Sequence, residues 1–153
     1  MNIYFDCDGV LADIDKWVEE HNDENKSYSE VIVDNYKEAF RDFDVIDQNI
    51  INFIIENTNS FVLTKVPEIS KIRSYLSKTD REDLAEEVRE TLIENKLVWC
   101  EKHKIPRDRV IVVGTSLEKA KYSKPDSILI DDYEYNCLMW TSHGEGLAIR
   151  YVR

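Results

Sequence analysis

Five short apolar stretches, separated by longer segments with helical spacing, constrain the fold of this chain more than any other feature. Each stretch is rich in Ile, Val, Leu or aromatic residues, and they cover residues 2–5, 60–63, 110–113, 128–130 and 147–152. Most of them are too short for a helix, so they predict buried strands. Strands that alternate with helices favour an α/β fold with a mostly parallel five-stranded sheet flanked by helices.

The intervening segments have apolar residues at helical spacing. The spacing predicts a helix over 10–21, two more between 29 and 57, and a long helix over 80–103. On the long helix, the apolar residues that recur on one face are Leu84, Val88, Leu92 and Leu97. Thr79 or Asp80 is expected to cap its first turn.

The helical segment between the first two strands is longer than a single crossover needs. This surplus predicts a small helical cap, at about residues 16–58, inserted after the first strand of one domain that spans 1–153. The chain has only 4 Gly and 3 Pro, and no linker-like stretch divides it. In open parallel sheets, ligands bind in the crevice at the carboxyl ends of the strands.

The composition of the chain argues against several classes of function. A formal net charge of −11 at pH 7 argues against a protein that tracks a nucleic acid polymer through its phosphates. No apolar run approaches the roughly 18 residues of a membrane-spanning helix, so no membrane partner is expected. Cys7, Cys100 and Cys137 are widely spaced, which favours free thiols and a cytoplasmic location. The oligomeric state stays open, a homodimer included.

Carboxylates follow two of the predicted strands. Asp6 and Asp8 come after the first strand, and Asp131 and Asp132 come after the fourth. If these strands are neighbours, the four carboxylates converge at one edge and repel each other unless a cation lies among them. Oxygen ligands without histidine are typical of Mg²⁺ rather than Zn²⁺.

Four segments together resemble the haloacid dehalogenase (HAD) superfamily of phosphatases. The run Asp-Cys-Asp-Gly-Val-Leu-Ala-Asp at 6–13 is similar to the first motif of the superfamily, in the form found in 5'(3')-deoxyribonucleotidases. Thr64 matches the second motif, and Lys119 matches the lysine that precedes the last motif. Ile-Leu-Ile-Asp-Asp at 128–132 matches the fourth. The resemblance implies a HAD-like Rossmannoid fold with the cap after the first strand.

The resemblance also implies roles for the acidic residues. Asp6 is the expected nucleophile, which forms an aspartyl-phosphate, and Asp8 is the expected general acid and base. Mg²⁺ is expected to bind the carboxylate of Asp6, the backbone carbonyl of Asp8 and the carboxylate of Asp132. Asp131 is expected to give close support to this metal site.

Phosphate binding is implied for three further positions. Thr64 is expected to hydrogen-bond a phosphate oxygen, and Lys119 to neutralise the phosphoryl charge, with Lys121 in reserve. Gly9 is expected to let the backbone approach the phosphate closely.

The chain departs from the family pattern at two positions near the first motif that bear on substrate selection. Cys7 stands where Met or Leu is usual, and Ile14 stands where these nucleotidases often carry Phe. Asp13 and Trp17 are the candidates for substrate contact from the cap. These departures leave the expected chemistry intact and bear on the identity of the leaving group.

The sequence therefore predicts a Mg²⁺-dependent phosphomonoesterase that hydrolyses a small phosphorylated substrate, a nucleoside monophosphate. One alternative keeps the chemistry with a non-nucleotide phosphate ester. A second is a catalytically silent module that binds Mg²⁺ and phosphate. A receiver-like signalling domain is a further rival, but it needs a phosphorylatable Asp at the end of a middle strand, where this chain has Thr64.

Overall fold

A computed structural model of the chain describes residues 1–153 as one α/β arrangement. The strands are β1 (Asn2–Phe5), β2 (Ser60–Lys65), β3 (Val110–Val113), β4 (Ser127–Asp131) and β5 (Leu147–Arg150). The helices are α1 (Ile14–His21), α2 (Tyr28–Asp34), α3 (Gln48–Glu56), α4 (Ile69–Ser77), α5 (Ala85–Lys102), α6 (Ser116–Ala120) and α7 (Glu134–Gly144). The α/β prediction with a parallel five-stranded sheet flanked by helices is confirmed.

The sheet has the order β3-β2-β1-β4-β5, and every pair of neighbours is parallel. β1 is therefore central, with Phe5 in register with Val62 of β2 and with Ile130 of β4. The backbone N–H of Asp6 still donates to Ile130, at 2.9 Å, before the chain leaves the sheet. The carboxyl ends of β1, β2 and β4 consequently meet at one edge.

The two faces of the sheet are covered by separate apolar clusters. Phe5 and Val62 belong to the larger cluster, which includes Trp99 of α5. Tyr4 belongs to the smaller cluster on the opposite face, where Trp140 of α7 packs at 5.3 Å between ring centroids. Alternation of side chains along β1 thus sends successive residues into different cores.

Several element boundaries differ from those predicted. α1 begins at Ile14 because the preceding residues form a tight turn, in which the N–H of Leu11 donates to the carbonyl of Cys7 at 2.8 Å. β5 ends at Arg150, two residues before the predicted end. The chain also forms α4, α6 and α7, which the apolar spacing did not predict.

The long helix corrects two further expectations. It begins with a 3₁₀ turn over Glu82–Leu84, and neither Thr79 nor Asp80 caps it; Asp80 takes a positive φ of 55° instead. Leu97 is only partly buried. The buried face of α5 consists of Ala85, Val88, Leu92, Asn95, Lys96, Trp99 and Cys100.

Three helices, α1 to α3, lie between β1 and β2, where the cap insertion was predicted. α3 packs on the sheet itself, with the rings of Phe53 and Phe5 at 5.9 Å between centroids. α2 contacts α4 through side chains, because Tyr75 donates a hydrogen bond of 2.8 Å to Asp34. None of the helices combines the length and the apolarity that a membrane crossing requires.

Candidate active site

The loop after β1 begins the candidate site. Asp6 is buried, and Gly9 turns the chain with a φ of +86°, a conformation that an L-residue adopts only with strain. A Cβ atom on Gly9 would lie 2.0 Å from Oδ2 of Asp132. Glycine therefore lets the loop after β1 and the loop after β4 approach each other closely.

Three carboxylates come together where β1 and β4 end. One oxygen from each of Asp6, Asp131 and Asp132 lies within 4.8 Å of the other two. This all-oxygen donor set, packed over the cradle at Gly9, fits a hard divalent cation such as Mg²⁺. The structure brings together the two predicted acidic motifs at this point.

Lys119, on α6, reaches into the same cluster. Its buried ammonium donates to Asp6 Oδ1 at 3.0 Å and to Asp131 Oδ2 at 2.9 Å. Burial lowers the pKa of Lys119, but the charges of Asp6 and Asp131 outweigh this and raise the pKa to about 12. Thr115 caps α6 by accepting from the N–H of Glu118, which holds the helix in place.

Asp131 has little capacity left for a metal ion. Its Oδ2 accepts from Lys119 and, at 2.9 Å, from the side-chain amide of Asn136, and its Oδ1 accepts from the N–H of Tyr133 at 3.0 Å. Burial, followed by the charge of Asp6, raises its pKa. Asp131 is thus suited to orienting Lys119 and Asn136.

Asp132 is the better candidate for a metal ligand. Burial raises its pKa, and the neighbouring charges of Asp6 and Asp131 add to this, so that the pKa is about 7. Asp6 and Asp131 both accept from the ammonium of Lys119, whereas no positive charge pairs with the carboxylate of Asp132. A divalent cation between Asp6 and Asp132 would supply that charge.

Asp8 is held by a lysine that the sequence analysis did not identify. The fully buried ammonium of Lys96 donates to Asp8 Oδ2 at 2.6 Å and also to the hydroxyl of Thr64. Oδ1 of Asp8 is buried and has no hydrogen-bond partner. Lys96 also lies 4.2 Å from the ring centroid of Phe40, which adds a cation–π contact.

A signal for Lys96 was present in the sequence. It follows Leu92 by four residues and precedes Trp99 by three, so it falls on the buried stripe of α5. A lysine on such a stripe needs a buried carboxylate or similar partner. The predicted stripe contained Leu97 instead, and in the structure Lys96 is the residue that is buried there.

Lys65 is a second lysine that the sequence analysis missed. It follows Thr64 at the end of β2, and its half-buried ammonium donates to Ser116 Oγ at 3.0 Å and to Asn136 Oδ1 at 3.4 Å. The ammonium also lies 5.2 Å from the ring centroid of Tyr133. Burial, followed by the charge of Lys119, lowers the pKa of Lys65.

Three predicted site residues lie outside this constellation. Lys121 is exposed, so Lys119 alone occupies the position of the motif lysine. Asp13 caps α1 and pairs with Arg153 at 3.2 Å. Trp17 is only 4% exposed and packs in the core, with its ring stacked on His21, so it is not accessible to a substrate.

A cavity of about 210 Å³ opens beside Asp8. Ile14, Tyr28, Ile32 and Phe40 form its apolar wall, and Lys65 and Lys71 contribute positive charge. The apolar wall comes from α1, α2 and the loop after α2, the region predicted as the cap. The chain matches no protein-family model and no curated protein.

Proposed function

We propose that this chain is a Mg²⁺-dependent phosphomonoesterase of the HAD superfamily that resembles the 5'(3')-deoxyribonucleotidases. The observation that carries the proposal is the convergence of Asp6, Asp8, Thr64, Lys119 and Asp132 at one edge of the sheet. These residues come from three strand ends and one helix, and they are the ones that the resemblance designates. Isolated aspartates after strands are commonplace, whereas this combination supports phosphate-ester hydrolysis through an aspartyl-phosphate.

Asp6 and Asp132 would hold the metal ion, together with the backbone carbonyl of Asp8. When bound, Mg²⁺ supplies positive charge that neutralises the phosphate and orients it toward the nucleophile. The separation of the Asp6 and Asp132 carboxylate oxygens, within 4.8 Å, and the close packing of Asp132 on Gly9 support this assignment.

Asp6 starts the reaction as the nucleophile. One of its carboxylate oxygens attacks phosphorus, the bond from phosphorus to the ester oxygen breaks, and an aspartyl-phosphate forms. The leaving oxygen takes a proton from Asp8 and departs as an alcohol. Oδ1 of Asp8 is suited to carry that proton, because Lys96 already occupies Oδ2.

Water completes the cycle. Asp8 accepts a proton from the attacking water, the phosphorus–oxygen bond to Asp6 breaks, and inorganic phosphate is released. Both carboxyl groups return to their starting protonation states, so the net reaction consumes one water molecule.

Two lysines and one hydroxyl balance the charge of the phosphoryl group. Lys119 lies against Asp6, where the group is transferred, and Lys96 lies against Thr64. Because Lys96 donates to the Thr64 oxygen, the hydroxyl proton of Thr64 is available to a phosphate oxygen. Preorganised donors of this kind stabilise the charge that develops during transfer.

The proposed substrate is a nucleoside monophosphate. Tyr28, which is 47% exposed, lines the cavity beside Asp8 and offers aromatic surface to a base. The resemblance of the first motif to nucleotidases supports the same substrate class, and the acidic surface of the chain accords with a small substrate rather than a polymer.

Phosphate release from a panel of nucleoside monophosphates and sugar phosphates tests the proposal. We expect release that requires Mg²⁺, favours deoxynucleotides and disappears in Asp6→Asn, whose side-chain oxygen still accepts from Lys119. Release from sugar phosphates alone would retain the mechanism and overturn the nucleotide substrate.

A silent module that binds Mg²⁺ and phosphate is the second candidate. The ion pair between Lys96 and Asp8 favours it, because the carboxylate of Asp8 already has a partner at 2.6 Å in the absence of any substrate. Saturable binding of phosphate and Mg²⁺ without release from any ester would select this candidate.

A further inference from the structure

Lys65 and Lys71 both line the cavity beside Asp8, and neither forms an ion pair. The partners of Lys65 are the neutral side chains of Ser116 and Asn136. Asp8 is the only acidic residue that lines this cavity, and Lys96 already neutralises it. A chain with a net charge of −11 therefore keeps two lysines at this cavity that form no ion pair.

The first turn of α4 adds to this positive character. Glu68, at the N-cap, makes no capping hydrogen bond with its side chain, and no acidic residue lies in the first turn. Lys71 belongs to that turn, close to backbone N–H groups that have no partner within the helix. The positive end of the helix dipole and the ammonium of Lys71 reinforce each other.

Lys71 also lies where two cavities meet. A neighbouring cavity of about 460 Å³, between α2 and α4, shares Ser29, Pro67 and Lys71 with the cavity beside Asp8. Most small-molecule sites have volumes of roughly 300–1,000 Å³. The 210 Å³ beside Asp8 is smaller than that, so a complete leaving group would extend past Lys71.

The second cavity is rich in groups that bind anions. Hydroxyls of Ser70 and Ser74 and the ammonium of Lys78 line it. Its one carboxylate, Glu30, is engaged in the capping box of α2, where it accepts from the N–H and the hydroxyl of Ser27. The path from Asp8 past Lys71 thus offers cations and hydroxyls.

We propose that Lys65 and Lys71 bind a second phosphate on the leaving group, so that the preferred substrate is a nucleoside 3',5'-bisphosphate. This inference rests on the proposed phosphatase function and specifies its substrate. The reacting phosphate lies against Asp6, the nucleoside lies along the exposed ring of Tyr28, and the second phosphate lies at the junction marked by Lys71.

Competing esters test the preference directly. We expect kcat/KM for thymidine 3',5'-bisphosphate to exceed that for thymidine 5'-monophosphate about tenfold, since one added charge pair in partly screened surroundings contributes roughly this factor. In Lys71→Gln that ratio should fall toward one. Lys102→Gln removes the same charge from an exposed position outside both cavities and should preserve the ratio. Equal kcat/KM values for the two esters, or an unchanged ratio in Lys71→Gln, would overturn the inference.

Calorimetry on Asp6→Asn gives a readout that does not depend on turnover. Thymidine 3',5'-bisphosphate should bind this variant more tightly than the monophosphate, and addition of Lys71→Gln should remove the difference. Fructose 1,6-bisphosphate is the comparison for a non-nucleotide source of the second phosphate, and equal preference for it would overturn the nucleoside part of the proposal. Tighter binding of the bisphosphate without phosphate release by the unsubstituted chain would contradict the proposed function alone. Release without preference would contradict the second phosphate site alone.

Discussion

The ammonium of Lys96 lies 2.6 Å from Oδ2 of Asp8 and joins the middle of α5 to the loop after the central strand. The same ammonium contacts Thr64, at the end of β2. One lysine therefore fixes two of the residues to which the resemblance assigns catalysis and phosphate binding. The Lys96 side chain is 1% exposed and that of Asp8 is 19% exposed, so the pair is largely shielded from bulk water.

Replacement of Lys96 by Met should destabilise the fold, because it leaves the carboxylate of Asp8 without a cation. Removal of one partner from a buried ion pair costs about 3 kcal/mol. Urea unfolding of Lys96→Met should show a loss of that size. The double variant Asp8→Asn, Lys96→Met should lose less stability than Lys96→Met alone; equal losses in both proteins would contradict a charge-pairing role for Lys96.

Replacement of Thr64 by Val should reduce kcat about 100-fold, since one preorganised hydrogen-bond donor to the phosphoryl group is lost. Thr64 is fully buried and Val has nearly the same shape, so the melting temperature should change far less than the activity. Steady-state kinetics and thermal melts measure both effects. Thr64→Ser keeps the hydroxyl and should recover most of the activity. Near-normal kinetics in Thr64→Val would place the second motif elsewhere in the chain.

Replacement of Gly9 by Ala should weaken Mg²⁺ binding at least about tenfold, because the new methyl group occupies the space of the Asp132 carboxylate. The positive φ of Gly9 adds a strain of about 1 kcal/mol. Titration calorimetry with Mg²⁺ measures the loss. Gly146→Ala is the matched control, since its Cβ would lie 2.4 Å from Trp140 Nε1, outside the carboxylate cluster. It should lower stability and leave Mg²⁺ affinity unchanged; an equal loss of affinity in both variants would count against the assignment of Asp132.

Mg²⁺ should stabilise the protein more at pH 8 than at pH 6. The pKa of Asp132 is raised from 3.8 to about 7 in the metal-free fold, so protons compete with the metal below pH 7. The apparent affinity should fall by up to about tenfold for each pH unit below that value. Thermal melts with and without Mg²⁺ at several pH values measure the dependence, which Asp132→Asn should flatten.

In the metal-free protein, the contribution of Asp132 to the free energy of unfolding should fall as the pH rises. Because the folded-state pKa lies above the unfolded-state value of 3.8, Asp132 favours folding below that pH, and its contribution is lost as the pH rises through about 7. The difference between the unsubstituted chain and Asp132→Asn, followed by urea unfolding without metal from pH 4 to 8, isolates this effect. A difference in stability that does not change with pH would contradict the raised pKa.

The strands and the acidic motifs could be predicted from the sequence because both depend on local patterns. Buried parallel strands appear as short apolar runs, and Asp6 and Asp131 directly follow such runs, with Asp132 next in the chain. Thr64 was identified in the same way, although β2 extends through Thr64 to Lys65 rather than ending before it.

Lys96 and Trp17 show why the rest of the site could not be predicted. Lys96 comes close to Asp8 only through tertiary packing across 88 residues of chain. Trp17 has helical spacing whether it faces the core or a substrate, and packing on His21 and Phe43 settles the choice. α6 is five residues long, too short to produce a periodic signal.

The strand order has a consequence for the synthesis of the chain on a ribosome. β1 emerges first, yet one of its two neighbours in the sheet is β4, which is made more than 100 residues later. Closing so long a loop is slow compared with local helix formation. Until β4 arrives, one side of β1 has no partner strand, so a nascent chain that stalls before residue 127 exposes the apolar centre of its own sheet to chaperones and to other nascent chains.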